Sequence, residues 1–207
     1  MSTVANVITD VRVEINDTGS TRFSDDTTTI LPIVKQAIRR ANRVCQKAGL
    51  HFAKKSAALN TVANQAYVTM PTDLDIPIGL WRDDTHNKIT QRTESEWEQI
   101  ISASGLANWF LDIANSKILL NGTPTAVTAL TMWYFPTVDP SAYTVASTMP
   151  WSGKLDDIIS RYVALRLQNL DEMNTTMDEK ILQDMEVSIV STYQSQAPIM
   201  VASEGWL

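Results

Sequence analysis

Apolar residues near the start of the chain recur three and four apart: Val4, Val7, Ile8, Val11 and Ile15. That spacing gathers them on one face of a helix. The stretch DTGSTRFSDDTTT then interrupts the pattern with turn formers and capping residues. A second helix is expected from Thr28 or Thr29, carried by Ile30, Val34, Ala37, Ile38, Ala41, Val44 and Ala48. Pro32 is tolerated only in its first turn, where the missing N–H costs nothing, and Gly49 is a plausible stop. The same period returns late in the chain through Leu155, Ile158, Ile159, Tyr162, Val163, Leu167 and Leu170. After NTT it resumes through Met177, Ile181, Met185 and Ile189, with Asp178 and Glu179 at the positive end of that helix.

Between these helical zones the period shortens. ALNTVANQAYVTMP alternates and reads as two short strands around a polar turn, and IGLWRDD as another strand. TESEWEQI predicts a short helix capped by Thr93, and WFLDIANSKILLNG a hairpin across Ala114 to Ser116. AVTALTMWYFPTVD is rich in Thr, Val and aromatics, which suits a strand. The pattern predicts an α+β fold, mainly α. Four main helices from the N- and C-terminal segments form a helical bundle, with a small antiparallel β module inserted. The expected organisation is a single domain over residues 1–196, helical over 1–50 and 151–196 with a β insert over 51–150. An extension over 197–207 follows, because APIMVASEGWL has no helical or strand partner of its own.

Composition narrows the class. With 207 residues, 44% hydrophobic and 19% charged, the chain can bury a real core. A net charge of -6 argues against a surface that binds nucleic acid throughout, but leaves room for a local basic stripe. One cysteine, Cys45, excludes an intramolecular disulfide and suits a reducing cytosol. The N-terminus lacks the basic start and apolar run of a signal peptide, and no stretch approaches the roughly 18 to 20 apolar residues that span a bilayer. A soluble protein made in a cytoplasm is expected, with no membrane partner.

Catalytic chemistry finds little support. Two histidines, His51 and His86, and one cysteine give no zinc-ligand cluster, and no phosphate-cradling glycine loop or GxSxG occurs. Catalytic, metal and cofactor residues are therefore expected to be none. Glu94, Glu96 and Glu98 around Trp97 are the one carboxylate group that a cell-wall hydrolase could use. A solvated helix face explains them more simply. Lys35, Arg39 and Arg43 are four apart on the second helix, flanked by Arg40 and Lys47. This stripe could meet DNA phosphates or an acidic protein surface. Trp109 and Trp133 suit a sheet core, whereas Trp81, Arg82, Asp83 and Asp84 suit a surface contact, since Trp and Arg dominate interface hot spots.

In order and texture these stretches resemble the head-to-tail adaptor, or head-completion, proteins of tailed bacteriophages, especially the short-tailed kind. The resemblance runs through ANVITDVRVEIND, LPIVKQAIRRANRVC, YVTMPTDLD, IGLWRD, MWYFPT, LDDIISRYVALRLQNLDE and DEKILQDMEVSIVSTYQ, from residue 1 to about 195. It implies a virion protein at the head–tail junction, assembled with copies of itself in a ring, commonly of twelve. The portal ring would lie on one side, a tail or nozzle protein on the other, and DNA would pass through the lumen. It also implies that the C-terminal extension, with Pro198, Ile199, Met200, Val201, Trp206 and Leu207, docks on the portal.

Overall fold

The computed structural model describes residues 1–20, 22–100, 106–170 and 175–194. In chain order the helices are α1 (Val4–Glu14), α2 (Leu31–Lys47), α3 (Glu94–Ile100), α4 (Asp156–Asn169) and α5 (Thr175–Gln194). The strands are β1 (Lys55–Asn60), β2 (Tyr67–Thr69), β3 (Leu74–Arg82), β4 (Lys88–Gln91), β5 (Asn108–Asp112), β6 (Lys117–Leu120) and β7 (Ala129–Pro136). They divide into two compact units, one comprising Met1–Ala53 with the chain from Val138 onward, the other Lys54–Thr137.

In the first unit α4 packs against α1, α2 and α5, and α2 also meets α5. The predicted stripes are the buried ones: Val4, Val7, Ile8 and Val11 on α1, and Val34, Ala37, Ile38, Ala41 and Cys45 on α2, have almost no solvent contact. Thr3 caps α1 in a reciprocal box with Asn6, satisfying donors that the first turn cannot pair internally. The helical path into α2 opens earlier than its α-helical span, in a π turn over Asp26–Ile30 whose Thr27 and Thr28 N–H groups donate to Asp25. Pro32 sits in the first turn of α2. At the other end Gly49, at φ +65°, takes a left-handed conformation. Its N–H donates to Gln46 and that of Leu50 to Cys45, closing the helix with a Schellman motif. Two expected stripe members are exposed instead, Leu170 and Met177.

One buried charge has no counterpart in the periodicity. Arg12 on α1 donates to Asp17 at 2.9 Å, to Asp26 at 2.9 and 2.5 Å and to the Phe23 carbonyl at 2.7 Å. The loop that breaks the first pattern is thereby folded onto α1. A guanidinium with two carboxylates and a carbonyl meets its desolvation cost through good geometry.

The second unit overturns the expected fold class. It is a seven-stranded mixed sheet in the order β1-β7-β3-β4-β5-β6-β2, and its edge strands β1 and β2 approach each other so that it nearly closes into a barrel. A mainly α helical bundle with a small antiparallel insert does not describe a chain in which this sheet has its own core. That core is Val68, Leu80, Ile89, Trp109, Ile118, Leu120, Leu130, Met132 and Tyr134. Nor is the sheet antiparallel throughout: β4 and β5 pair in parallel, Thr90 opposite Asn108. A parallel pair needs a crossover, and the connection carrying α3 supplies it. The two strands read from ALNTVANQAYVTMP do not pair with each other. β1 pairs with β7 and β2 with β6. The hairpin of β5 and β6 forms where expected, with Asp112 opposite Lys117.

The turn at MPTDLD ties the unit together where the chain enters and leaves it. Asp73 accepts from Lys55 Nζ at 2.5 Å and from the Tyr134 hydroxyl at 2.7 Å, while its carbonyl accepts the Thr137 N–H at 2.7 Å. Lys55 follows the first residue of the unit and Thr137 is its last. The Lys55 hydrogen bond, aided by Tyr134, holds the Asp73 carboxyl below its ordinary range, and burial beside that carboxylate pushes the Tyr134 phenol up. A carboxylate depressed in the folded state contributes stability above its unfolded pKa and loses it as pH falls through the folded value. Asp73→Asn is therefore expected to lower the thermal midpoint at neutral pH. The gap from the parent chain should close as pH drops below 3.8, the ordinary aspartate value, in melts recorded across that range.

Candidate functional surfaces

The basic residues of α2 do not form a uniform solvated stripe. Lys35 Nζ donates to the Ser141 carbonyl at 2.8 Å. Arg39 lies 3.8 Å from Asp139, and Arg40 pairs with Glu186 of α5. Asp139 is itself ordered by Ser141, whose hydroxyl and N–H hold its carboxyl below the usual range. Arg43 and Lys47 are exposed. Arg39, Arg40 and Arg43 line a cleft of about 290 Å³ together with Gln36, Arg166 and Leu182. Arg166 comes from α4, far away in sequence, so spacing along α2 could not have found it.

Trp81, Arg82, Asp83 and Asp84 lie where β3 turns toward β4, and each already has a partner within the sheet unit. The Trp81 ring lies across Gly79: a Cβ at Gly79 would fall 2.6 Å from Trp81 Cη2. Lys88 Nζ covers the ring 5.4 Å from its centre. Arg82 grips Asp84 through two hydrogen bonds of 3.1 and 2.6 Å. This contact keeps the Asp84 carboxyl low and the guanidinium firmly charged. Asp83 accepts from the Thr131 hydroxyl at 2.7 Å. These contacts brace the tip from within the sheet unit.

The tip belongs to the sheet end remote from Lys55 and Thr137, because Arg82 is opposite Leu130 and Asn60 opposite Ala129. Two loops, 61–66 and 121–128, complete that end. They are joined by Thr61 N–H to Thr128 at 3.0 Å, Thr128 N–H to the Thr61 hydroxyl at 2.7 Å and Asn64 N–H to Pro124 at 2.8 Å. Val62 and Val127 on these loops are 52% and 67% exposed. Sequence reading missed this pairing, since it joins loops some sixty residues apart by backbone and hydroxyl groups that carry no periodicity. The tail residues Pro198, Ile199, Met200, Val201, Trp206 and Leu207 lie outside the described residues.

A family model, that of the SU10 adaptor protein, matches residues 2–184. The chain belongs to this family of phage head–tail adaptors. No curated protein sequence matches it. Adaptors of this family are structural proteins, and their association with portal and tail proteins follows from that role.

The remaining polar groups of the adaptor fit a structural reading. Glu94, Glu96 and Glu98 on α3 are exposed. Glu96 accepts from the Thr93 N–H at 3.0 Å and lies 3.7 Å from Arg92. These contacts, the Thr93 N–H foremost, hold its carboxyl low, the reverse of what a general acid needs. Burial pushes the Cys45 thiol up to about 12, which leaves little nucleophilic thiolate. Among the described residues no group of His, Cys, Asp and Glu is arranged to hold a metal, and no helix is long and apolar enough to cross a membrane. Trp109 is fully buried and donates to the Ile89 carbonyl at 3.1 Å. Trp133 is only half-buried. Trp97 is buried against Phe110.

The seating of Trp81 on Gly79 yields a direct test of the adaptor's tip. Gly79→Ala places a methyl against the indole, so the ring must shift. The chain is expected to be destabilised by less than the roughly 1–3 kcal/mol of a close-packed core, because the ring is partly exposed. Adding Trp81→Ala should restore most of that loss. Urea unfolding of both variants, followed by circular dichroism, reads it.

Proposed function

We propose that this adaptor is a ring-forming subunit at the phage head–tail junction, seated on the portal, bound by a tail or nozzle protein, with DNA passing through the lumen. The family match over residues 2–184 carries the reading. A copy number of twelve is the commonest arrangement that the resemblance implies. In this reading Pro198, Ile199, Met200, Val201, Trp206 and Leu207 dock on the portal. Lys35, Arg39, Arg40, Arg43 and Lys47 face lumen DNA or an acidic partner. Trp81, Arg82, Asp83 and Asp84 contact a neighbouring copy or a tail component. Support for the last comes from the contacts that brace that tip and from exposed Val62 and Val127 beside it, since a surface held in place before docking loses less entropy.

The chain is made in the host cytoplasm and ends in the virion. The runner-up readings are weaker. A cell-wall hydrolase would need a general acid, whereas the Thr93 N–H holds the Glu96 carboxyl low. A DNA-binding module would need a continuous free basic face, whereas Lys35, Arg39 and Arg40 are each engaged in part.

Mixing the purified chain with its portal and imaging the product by negative-stain electron microscopy tests the proposal. The expected result is an added ring on the portal, sedimenting as one species with it. Portal particles that stay bare, at concentrations where both proteins are folded, would overturn it. Truncation after Gln194 should abolish ring addition while leaving the melting temperature of the chain unchanged.

A further inference from the structure

We infer that the arginine cleft between α2, α4 and α5 is a socket for an acidic, extended segment of another protein. This deepens the proposal that the basic face of α2 is a contact surface, and rests on it. Its walls are Gln36, Arg39, Arg40, Arg43, Tyr162, Arg166 and Leu182. Three of the four cations come from α2 and the fourth from α4, which itself packs on α2. No carboxylate lines the cleft. Asp139 and Glu186 each pair with one of the α2 arginines, Asp139 loosely at 3.8 Å. Arg43 makes no ion pair among the described residues.

Holding several guanidinium groups together is unfavourable unless an anion is shared between them. Arg43 is exposed and Arg39 is held only loosely by Asp139, so the cleft offers positive charge to a guest anion.

The dimensions decide which anion. At about 290 Å³ the cleft has room for roughly ten waters at their share of liquid volume, enough for one or two carboxylate side chains and their backbone. Duplex DNA presents its phosphates on a convex surface and would reach only the outer residues Arg39, Arg43 and Lys47. The cleft is also lined by arginine rather than lysine, and the planar fork of arginine matches a carboxylate through two parallel hydrogen bonds. Leu182 adds an apolar wall for the methylene groups of a glutamate.

The test uses the full chain and a short fluorescein-labelled peptide of alternating glutamate and glycine, read by fluorescence anisotropy. The peptide is expected to bind, and Arg39→Gln with Arg43→Gln to weaken it by at least about tenfold, as loss of hydrogen bonds to a charged group requires. Arg43→Lys, which keeps the charge without the fork, should weaken it measurably, and Lys47→Gln should not. Thermal melts of each variant confirm that the exposed substitutions leave the fold intact. Absence of peptide binding overturns the inference, as does equal binding by the double variant. So does a short DNA duplex that displaces the peptide with the same arginine dependence. Failure here leaves the junction role standing, because that is judged by ring addition to the portal.

Discussion

The direction in which the cations of α2 point is set by what the opposite side of that helix buries. Val34, Ala37, Ile38 and Ala41 have no solvent contact, and Leu31, Val44 and Cys45 scarcely any. Each large apolar side chain so buried is worth about 1.5–3 kcal/mol, far more than any exposed ion pair contributes. Rotation of α2 is therefore fixed by its apolar stripe, and Arg39, Arg40 and Arg43 take whatever surroundings remain. Two alanines in the stripe, Ala37 and Ala41, keep side chains small at the contact, which lets neighbouring helices approach. The same packing brings Arg166 of α4 beside them. A cationic cleft in a chain of net charge -6 is thus a consequence of hydrophobic packing.

The sheet unit obeys a different constraint. Its strands are three to nine residues long, and a strand that short cannot hold a register alone. Registration comes from closure and from side chains that act as clasps. Asp73 gathers Lys55, Tyr134 and Thr137, and Thr61 joins the two loops at the far end. One end of the sheet is tied to the chain crossings, while the other presents Val62 and Val127 on a braced surface.

Helical periodicity was legible because it is local. Four apolar residues spaced three and four apart define a face whatever else the chain does, so the stripes of α1 and α2 lie where the sequence puts them. Leu170 and Met177, exposed near helix ends, are the exceptions. Sheet architecture was not legible, because pairing joins segments far apart. Nothing in ALNTVANQAYVTMP says that its two halves belong to opposite edges. Nothing in TESEWEQI says that its helix is a crossover between parallel strands. The contact residues show the same limit. Trp81 reads as an anchor until Gly79 and Lys88 are seen on either side of its ring. Likewise the stripe on α2 becomes a cleft only when α4 and α5 are present.

We propose that the exposed apolar and cationic surfaces of this adaptor are covered by other proteins of the particle. A cryo-electron microscopy reconstruction of the phage that carries the chain tests this most directly. The predicted result is a ring of this protein at the head–tail junction, with the 61–66 and 121–128 loops pressed against another subunit. Density that places the chain elsewhere in the particle, or leaves those loops facing only solvent, would contradict it.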